Sequence, residues 1–121
     1  MIFEWPETTK KLSTQLRDMR TGAGVAEVMK TFAAMAQTAT KQGVLDAKTK
    51  ELIAIAISVA TRCDDCIAFH VKAAVHHGAT PEEIQETLGM AVYMGAGPSA
   101  MYASHAWQAY NQFAAAKKAE G

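Results

Sequence analysis

The chain has 121 residues and a mass of 13.0 kDa; half of its residues are apolar, and 12 basic side chains balance 12 acidic ones. A zero net charge does not favour nucleic acid or an acidic membrane surface as a partner. The segment MIFEWPETTKK lacks the layout of a signal peptide, and no window approaches the roughly 18 apolar residues of a membrane helix. We therefore expect one cytoplasmic domain that binds a small molecule or a protein.

Helical periodicity runs through almost the whole chain, so the sequence predicts an all-α fold. A polar first segment, from about 7 to 20, precedes a break at 22–24. We expect Trp5, in the tail before it, to dock on a neighbouring subunit. The second predicted helix has apolar residues at i, i+3, i+4 and i+7, and Gly43 is expected to end it. This apolar stripe consists of Val25, Val28, Met29, Phe32, Met35, Ala36 and Ala39.

The third predicted helix, from 47 to about 60, is apolar on nearly every side. Such a helix is expected to be buried on several sides. Asp46, directly before it, is a candidate N-cap. The fourth helix begins at the cysteines and ends near His77 and Gly78.

Thr80-Pro81-Glu82-Glu83 is a strong signal for the start of a fifth helix. It offers an N-cap Thr, a Pro at the first helical position and a Glu that completes a capping box. We expect this helix to run to Met94, where 95–98 breaks the chain before a last helix from about Pro98 to Lys117. The helix around Ile53 and the last two helices have more apolar positions than one small bundle can cover, which predicts a homo-oligomer.

The segment CDDCIAFH holds both cysteines of the chain and a histidine four residues after the second. On a helix that advances about 100° per residue, Cys63, Cys66, His70 and His77 lie within roughly 60° of one another. Thiols at i and i+3 can approach disulfide distance, and the i, i+4 spacing places an imidazole one turn from Cys66.

Charges near the cysteines have opposing effects on thiolate formation. Unpaired N–H groups at a helix start favour the thiolate, whereas Asp64 and Asp65 disfavour another anion, and Arg62 offsets only part of this. Ionisation should therefore depend on a nearby base, which His70 could supply. If neighbouring helices pack together, Glu51 could bind one nitrogen of His70 and complete a proton relay; otherwise it is a first-turn carboxylate that faces water.

Spacing alone leaves three readings of this cluster open: a redox pair, a zinc site and a structural disulfide. A tetrahedral zinc set of Cys63, Cys66, His70 and His77 from one straight helix is geometrically awkward, although a distant ligand such as His105 could replace one of them. The residues His76, His77 and His105 are interpreted as surface or satisfied polar side chains outside the site.

Glu51 and the Cys63, Cys66 and His70 motif, with GVLDAKTKELIAIAISVATRC before it and GATPEEIQETLGMAVYMGAGP after it, resemble the alkylhydroperoxidase D (AhpD)-like branch of the carboxymuconolactone decarboxylase superfamily. The resemblance extends from about residue 25 to 101. It implies a single all-helical domain over 1–121, with 1–20 as an N-terminal extension and 47–94 as the motif-bearing core. It also implies trimers or hexamers.

The activity that the resemblance implies is a thiol-dependent peroxidase whose catalytic residues are Glu51, Cys63, Cys66 and His70. We expect Cys63 to attack the peroxide, as the more exposed thiol nearer the helix start, and Cys66 to resolve the product. The expected partners are a hydroperoxide and a dithiol or protein reductant; no cofactor and no metal are expected. The best-studied kind of family member has a further histidine just before the second cysteine, where this chain has Asp65. A non-peroxidatic thiol–disulfide carrier or redox sensor is the alternative, because Asp64 and Asp65 work against a low thiolate pKa.

Overall fold

The structure is a computed structural model that describes residues 3–121, and its regular elements are all helices. This confirms the predicted all-α class. The predicted break at 95–98 is present, because Ala96 takes a left-handed conformation with φ 53° inside the last helical stretch. The helices in chain order are α1 (Trp5–Arg20), α2 (Ala26–Thr40), α3 (Ala47–Ala60), α4 (Asp64–His76) and α5 (Pro81–Glu120).

The core lies between α3, α4 and α5, which pack on one another, and α1 covers parts of α4 and α5. Small residues on α5 allow close packing of the helices. Within residues 3–121, no helix is both long enough and apolar enough to cross a membrane. The core includes Ile55 and Val59 of α3, Ile67 and Val71 of α4, and Ile84, Leu88, Ala106, Ala109 and Phe113 of α5.

The helix starts near the core follow the sequence signals. The Asp46 side chain accepts from the Thr49 N–H at 2.7 Å and caps α3. At the start of α5, Thr80 Oγ1 accepts from the Glu83 N–H at 3.1 Å, and Glu83 Oε1 accepts from the Thr80 N–H at 2.9 Å. This backbone donor and the neighbouring Lys48 ammonium lower the pKa of Glu83. The predicted capping box is therefore confirmed.

Trp5 lies in the core of its own chain, with only 1% of its surface exposed. Its backbone N–H donates to Gln112 Oε1 at 2.7 Å, and its indole N–H donates to Gln108 Oε1 at 2.9 Å. The prediction that Trp5 docks on a neighbouring subunit is therefore wrong. An indole that is both buried and hydrogen-bonded needs no other partner.

The α2 helix has the predicted apolar stripe but buries none of it within this chain. Phe32 is 54% exposed, and Val28 and Met35 are exposed as well. The α3 helix is buried on the sides that face α4 and α5, as expected, but it leaves Ile53 and Ile57 exposed on its remaining face. The reason is that α2 makes few contacts with α3, and no other part of residues 3–121 covers Ile53 and Ile57.

Candidate active site

A short connection between α3 and α4 brings the cysteines to the start of α4. Thr61 and Arg62 form the turn, with Arg62 in the left-handed region at φ 58°. The Cys63 N–H then donates to the Ser58 carbonyl at 3.0 Å, which holds the turn against the end of α3. A left-handed non-glycine residue has a conformational cost, so the surrounding contacts must hold the chain in this path.

Cys63 and Cys66 are joined by a disulfide, with their Cα atoms 5.2 Å apart. Cys63 is the N-cap of α4, and its sulfur accepts from the Cys66 N–H at 3.2 Å. A backbone donor in this position favours a thiolate at Cys63 once the pair is reduced. The expected order of exposure is wrong, however: Cys66 is exposed, and Cys63, folded back over the first turn as its cap, is half-buried.

Glu51 of α3 binds His70 of α4. Its Oε1 lies 2.7 Å from His70 Nδ1, and only 6% of the Glu51 surface is exposed. The alternative that this carboxylate faces water is therefore wrong. A carboxylate only accepts, so Nδ1 carries the hydrogen, and Nε2 is the nitrogen that remains free to take or give a proton.

His70 follows Cys66 by one helical turn on the same face of α4. Side chains on a helix lean toward its N-terminus, so an imidazole at position 70 lies over the turn that contains Cys66. The side chain is 33% exposed, which leaves it partly accessible to solvent. The structure thus joins Glu51 to His70 across α3 and α4, and Cys63 to Cys66 at the start of α4.

A second carboxylate–imidazole pair, which sequence reasoning missed, lies at the first turn of α4. Asp64 Oδ1 is 2.8 Å from Nδ1 of His105, a residue of α5. His105 has the satisfied polar partner that was expected, but this partner directly follows Cys63. No local pattern connects residues 41 positions apart in the chain, so only the packing of α4 on α5 reveals the pair.

Among residues 3–121, no group of three or more His, Cys, Asp or Glu side chains is arranged to hold a metal ion. His77 is the exposed C-cap of α4, and its ring lies 5.2 Å from that of His76. A surface cavity of about 310 Å³ lies near this far end of α4, among Val75, His76 and Phe113, and its lining does not include the cysteines.

Comparison with known proteins places these features in a wider group. Residues 26–109 match the model of the carboxymuconolactone decarboxylase family. The apo crystal structure of such a protein from Legionella pneumophila is 51% identical and superposes with a TM-score of 0.85, covering 91% of this chain and 96% of that one.

Two further relatives have similar lengths. A Thermotoga maritima family member, for which a part in the antioxidative response has been suggested, is 27% identical with a TM-score of 0.83, covering 93% of this chain and 95% of that one. An uncharacterised protein of Cupriavidus necator is 41% identical over 103 residues, which span 81% of this chain and 91% of that protein.

Proposed function

Because this chain belongs to the carboxymuconolactone decarboxylase family and has a CxxC pair beside a buried Glu–His pair, we propose that it is a thiol-dependent peroxidase that reduces alkyl hydroperoxides in antioxidant defence. The observation that carries the proposal is the 2.7 Å contact between His70 Nδ1 and Glu51 Oε1, with Glu51 almost fully buried. A buried carboxylate on Nδ1 fixes the tautomer and orientation of the imidazole and leaves Nε2 to exchange protons.

The first chemical step uses Cys63 as the nucleophile. Its thiol proton passes to His70 by way of Cys66, which precedes the imidazole by one helical turn on the same face of α4. The Cys63 thiolate attacks the terminal peroxide oxygen, an S–O bond forms, and the O–O bond breaks. The alkoxide takes back the proton, so the products are a Cys63 sulfenic acid and an alcohol. The Cys66 N–H that points at the Cys63 sulfur supports this choice of nucleophile.

The second step makes the disulfide. The Cys66 sulfur attacks the sulfenic sulfur of Cys63, the S–S bond forms, the S–O bond breaks, and water leaves with the Cys66 proton. The 5.2 Å separation of the Cα atoms is within the usual range for a disulfide. A dithiol or protein reductant then supplies two electrons and two protons by thiol–disulfide exchange and becomes oxidised itself. This cycle is suited to the reducing cytoplasm, where we place the protein.

A second candidate function is a thiol–disulfide carrier or redox sensor without useful peroxide turnover. The exposure of Cys66 favours it, because an exposed sulfur can be reached by the thiol of another protein. The acidic side chains at 64 and 65 also favour it, because they disfavour a thiolate. A carrier would exchange disulfides with a protein partner as readily as a peroxidase, but its dithiol would react slowly with peroxide.

We also propose that the functional form is a homotrimer or homohexamer. The exposed stripe of α2 and the exposed face of α3 support this, since isolated chains rarely leave that much contiguous apolar surface in water. Tyr93, Met94 and Met101 of α5 add to the exposed apolar surface. Light scattering at micromolar concentration tests the assembly, and a monomer would contradict it.

The experiment that tests the peroxidase is a stopped-flow comparison of the reduced protein with hydrogen peroxide and with alkyl hydroperoxides. The expected result is rapid loss of both thiols, with one peroxide consumed per disulfide formed and reversal by dithiothreitol. The Cys63→Ser variant is the control and should lose this reaction. Wild-type thiols that survive excess peroxide but exchange with a protein disulfide would favour the carrier instead.

A further inference from the structure

Two carboxylate–imidazole pairs join α4 to the helices packed against it. His70 is bound by Glu51 of α3, and the peroxidase proposal uses that pair. The other pair joins Asp64 of α4 to His105 of α5 at 2.8 Å, with side chains that are 29% and 16% exposed. It has no role in the chemistry described so far, although Asp64 directly follows Cys63.

The direction of the Asp64 side chain matters, because its charge opposes ionisation of the thiols. At about 100° per residue, position 64 lies roughly 160° around α4 from Cys66 and roughly 120° from His70. Position 64 therefore faces away from Cys66 and His70, and contact with His105 holds the carboxylate toward α5. The same contact places an N–H donor on it, which draws its negative charge toward α5.

His105 is itself held in place by aromatic neighbours. The Tyr102 ring lies 4.9 Å from it in a tilted arrangement, and the Phe3 ring lies 5.8 Å away edge-on. Phe3 is fixed in turn, because its backbone N–H donates to Gln108 at 3.1 Å and its carbonyl accepts from Gln112 at 2.9 Å. These neighbours therefore hold the imidazole in one position, so it is not a freely rotating surface side chain.

We propose that His105 is a positioning residue for the redox turn, which acts through Asp64 to favour the thiolate form of the cysteine pair. It does so by holding the Asp64 carboxylate away from the sulfur atoms and by offsetting its charge. The inference rests on the redox role proposed above for the two cysteines, but not on peroxide as the substrate. The ionisable groups near this turn, besides the two cysteines and the Asp64–His105 pair, are Glu51, Arg62, Asp65 and His70.

The proposal predicts opposite effects for the two members of the pair. Asp64→Asn removes the charge that opposes the thiolate, so the reduced protein should react with iodoacetamide about three- to tenfold faster at pH 7, because a carboxylate on the residue after Cys63 still repels a thiolate in partly hydrated surroundings. His105→Phe keeps the aromatic packing and frees the carboxylate, so alkylation should become about two- to fivefold slower. Mass spectrometry of each cysteine over time gives the rates, and their pH profiles should shift in opposite directions.

The double variant provides the decisive comparison. If His105 acts only through Asp64, Asp64→Asn with His105→Phe should react at the rate of Asp64→Asn alone. Asp65→Asn is the matched control, since this exposed neighbour is also a carboxylate beside the cysteines, whereas the carboxylate that binds His105 is that of Asp64. In that background His105→Phe should still slow alkylation by its full factor.

A structural role alone would give a different result. If the pair only braces the fold, both single variants should change alkylation in the same direction, together with their melting temperatures, and the proposal would be overturned. Should His105→Phe fail to fold, His105→Gln serves instead. The amide of Gln keeps an N–H donor for the Asp64 carboxylate, so alkylation should stay near the wild-type rate. Alkylation that is slowed by the full two- to fivefold in this variant would also contradict the proposal. Alkylation needs no peroxide, so the inference can hold even if the peroxidase proposal fails.

Discussion

Replacing Glu51 with Gln is the most direct test of the proposed proton relay. The substitution keeps the shape of the side chain and a carbonyl oxygen near His70 Nδ1, but it removes the negative charge. A hydrogen bond to a charged group contributes about 1.5–3 kcal/mol, and about 1.4 kcal/mol corresponds to a factor of ten in rate. Because His70 is 33% exposed and partly screened by water, the lower part of this range applies. We therefore expect the reaction with peroxide to slow by about ten- to thirtyfold near neutral pH.

The assay is a rapid-mixing experiment in which free thiols are counted after the reduced protein meets excess peroxide. Circular dichroism should show that the helices are retained in Glu51→Gln. The Glu82→Gln variant, at an exposed position of α5, is the matched control and should react at the wild-type rate. His70→Gln should cause a similar loss, and the double variant should lose less than the product of the two factors, because the residues act as one unit. Fully multiplicative losses, or a change below twofold in Glu51→Gln, would refute the relay.

Three further predictions concern the cysteines, the assembly and an acidic cap. In Cys66→Ser, peroxide should leave a sulfenic acid on Cys63 that dimedone traps, as mass spectrometry would show; an adduct on Cys66 in Cys63→Ser would reverse the assigned roles. Phe32→Glu should reduce the assembled mass seen by light scattering with the helix content unchanged, and an unchanged mass would argue against α2 as an interface. The folded-state pKa of Glu83 is lowered by the Thr80 N–H, so wild type should be more stable than Glu83→Gln above the ordinary value of 4.5. That difference in stability should vanish as the pH falls through the lower folded-state pKa. Urea titrations at several pH values measure the free energy of unfolding of both proteins, and a difference that persists in acid would contradict the prediction.

The sequence predicted what depends on local patterns. Asp46 and Thr80 cap their helices as expected, since a capping side chain and the amide it binds are only three residues apart. The break near Ala96 follows from a run of small residues that ends in proline. The contact between Glu51 and His70 could also be anticipated, because a short turn makes their two helices neighbours.

Features that depend on distant packing were not predicted. Trp5 is buried through hydrogen bonds to glutamines more than 100 positions later, and glutamine carries no sequence signal for such a role. The periodicity of α2 correctly indicated an apolar stripe around Phe32, but periodicity does not say which surface a stripe contacts. Asp64 and His105 lie 41 positions apart, and neither residue type reveals a partner on another helix.

The four proposed catalytic residues all lie between positions 51 and 70, in one hairpin of two helices. Closing a loop of that length costs little chain entropy, and each doubling of loop length adds only about 0.6 kcal/mol. Contacts between residues near in sequence also form early when a chain folds. Glu51 can therefore reach His70 while α5 is still being synthesised, whereas Asp64 meets His105 only after most of the chain has left the ribosome. The site of the cysteines, Glu51 and His70 can thus assemble first, and the first turn of α4 is attached to α5 afterwards.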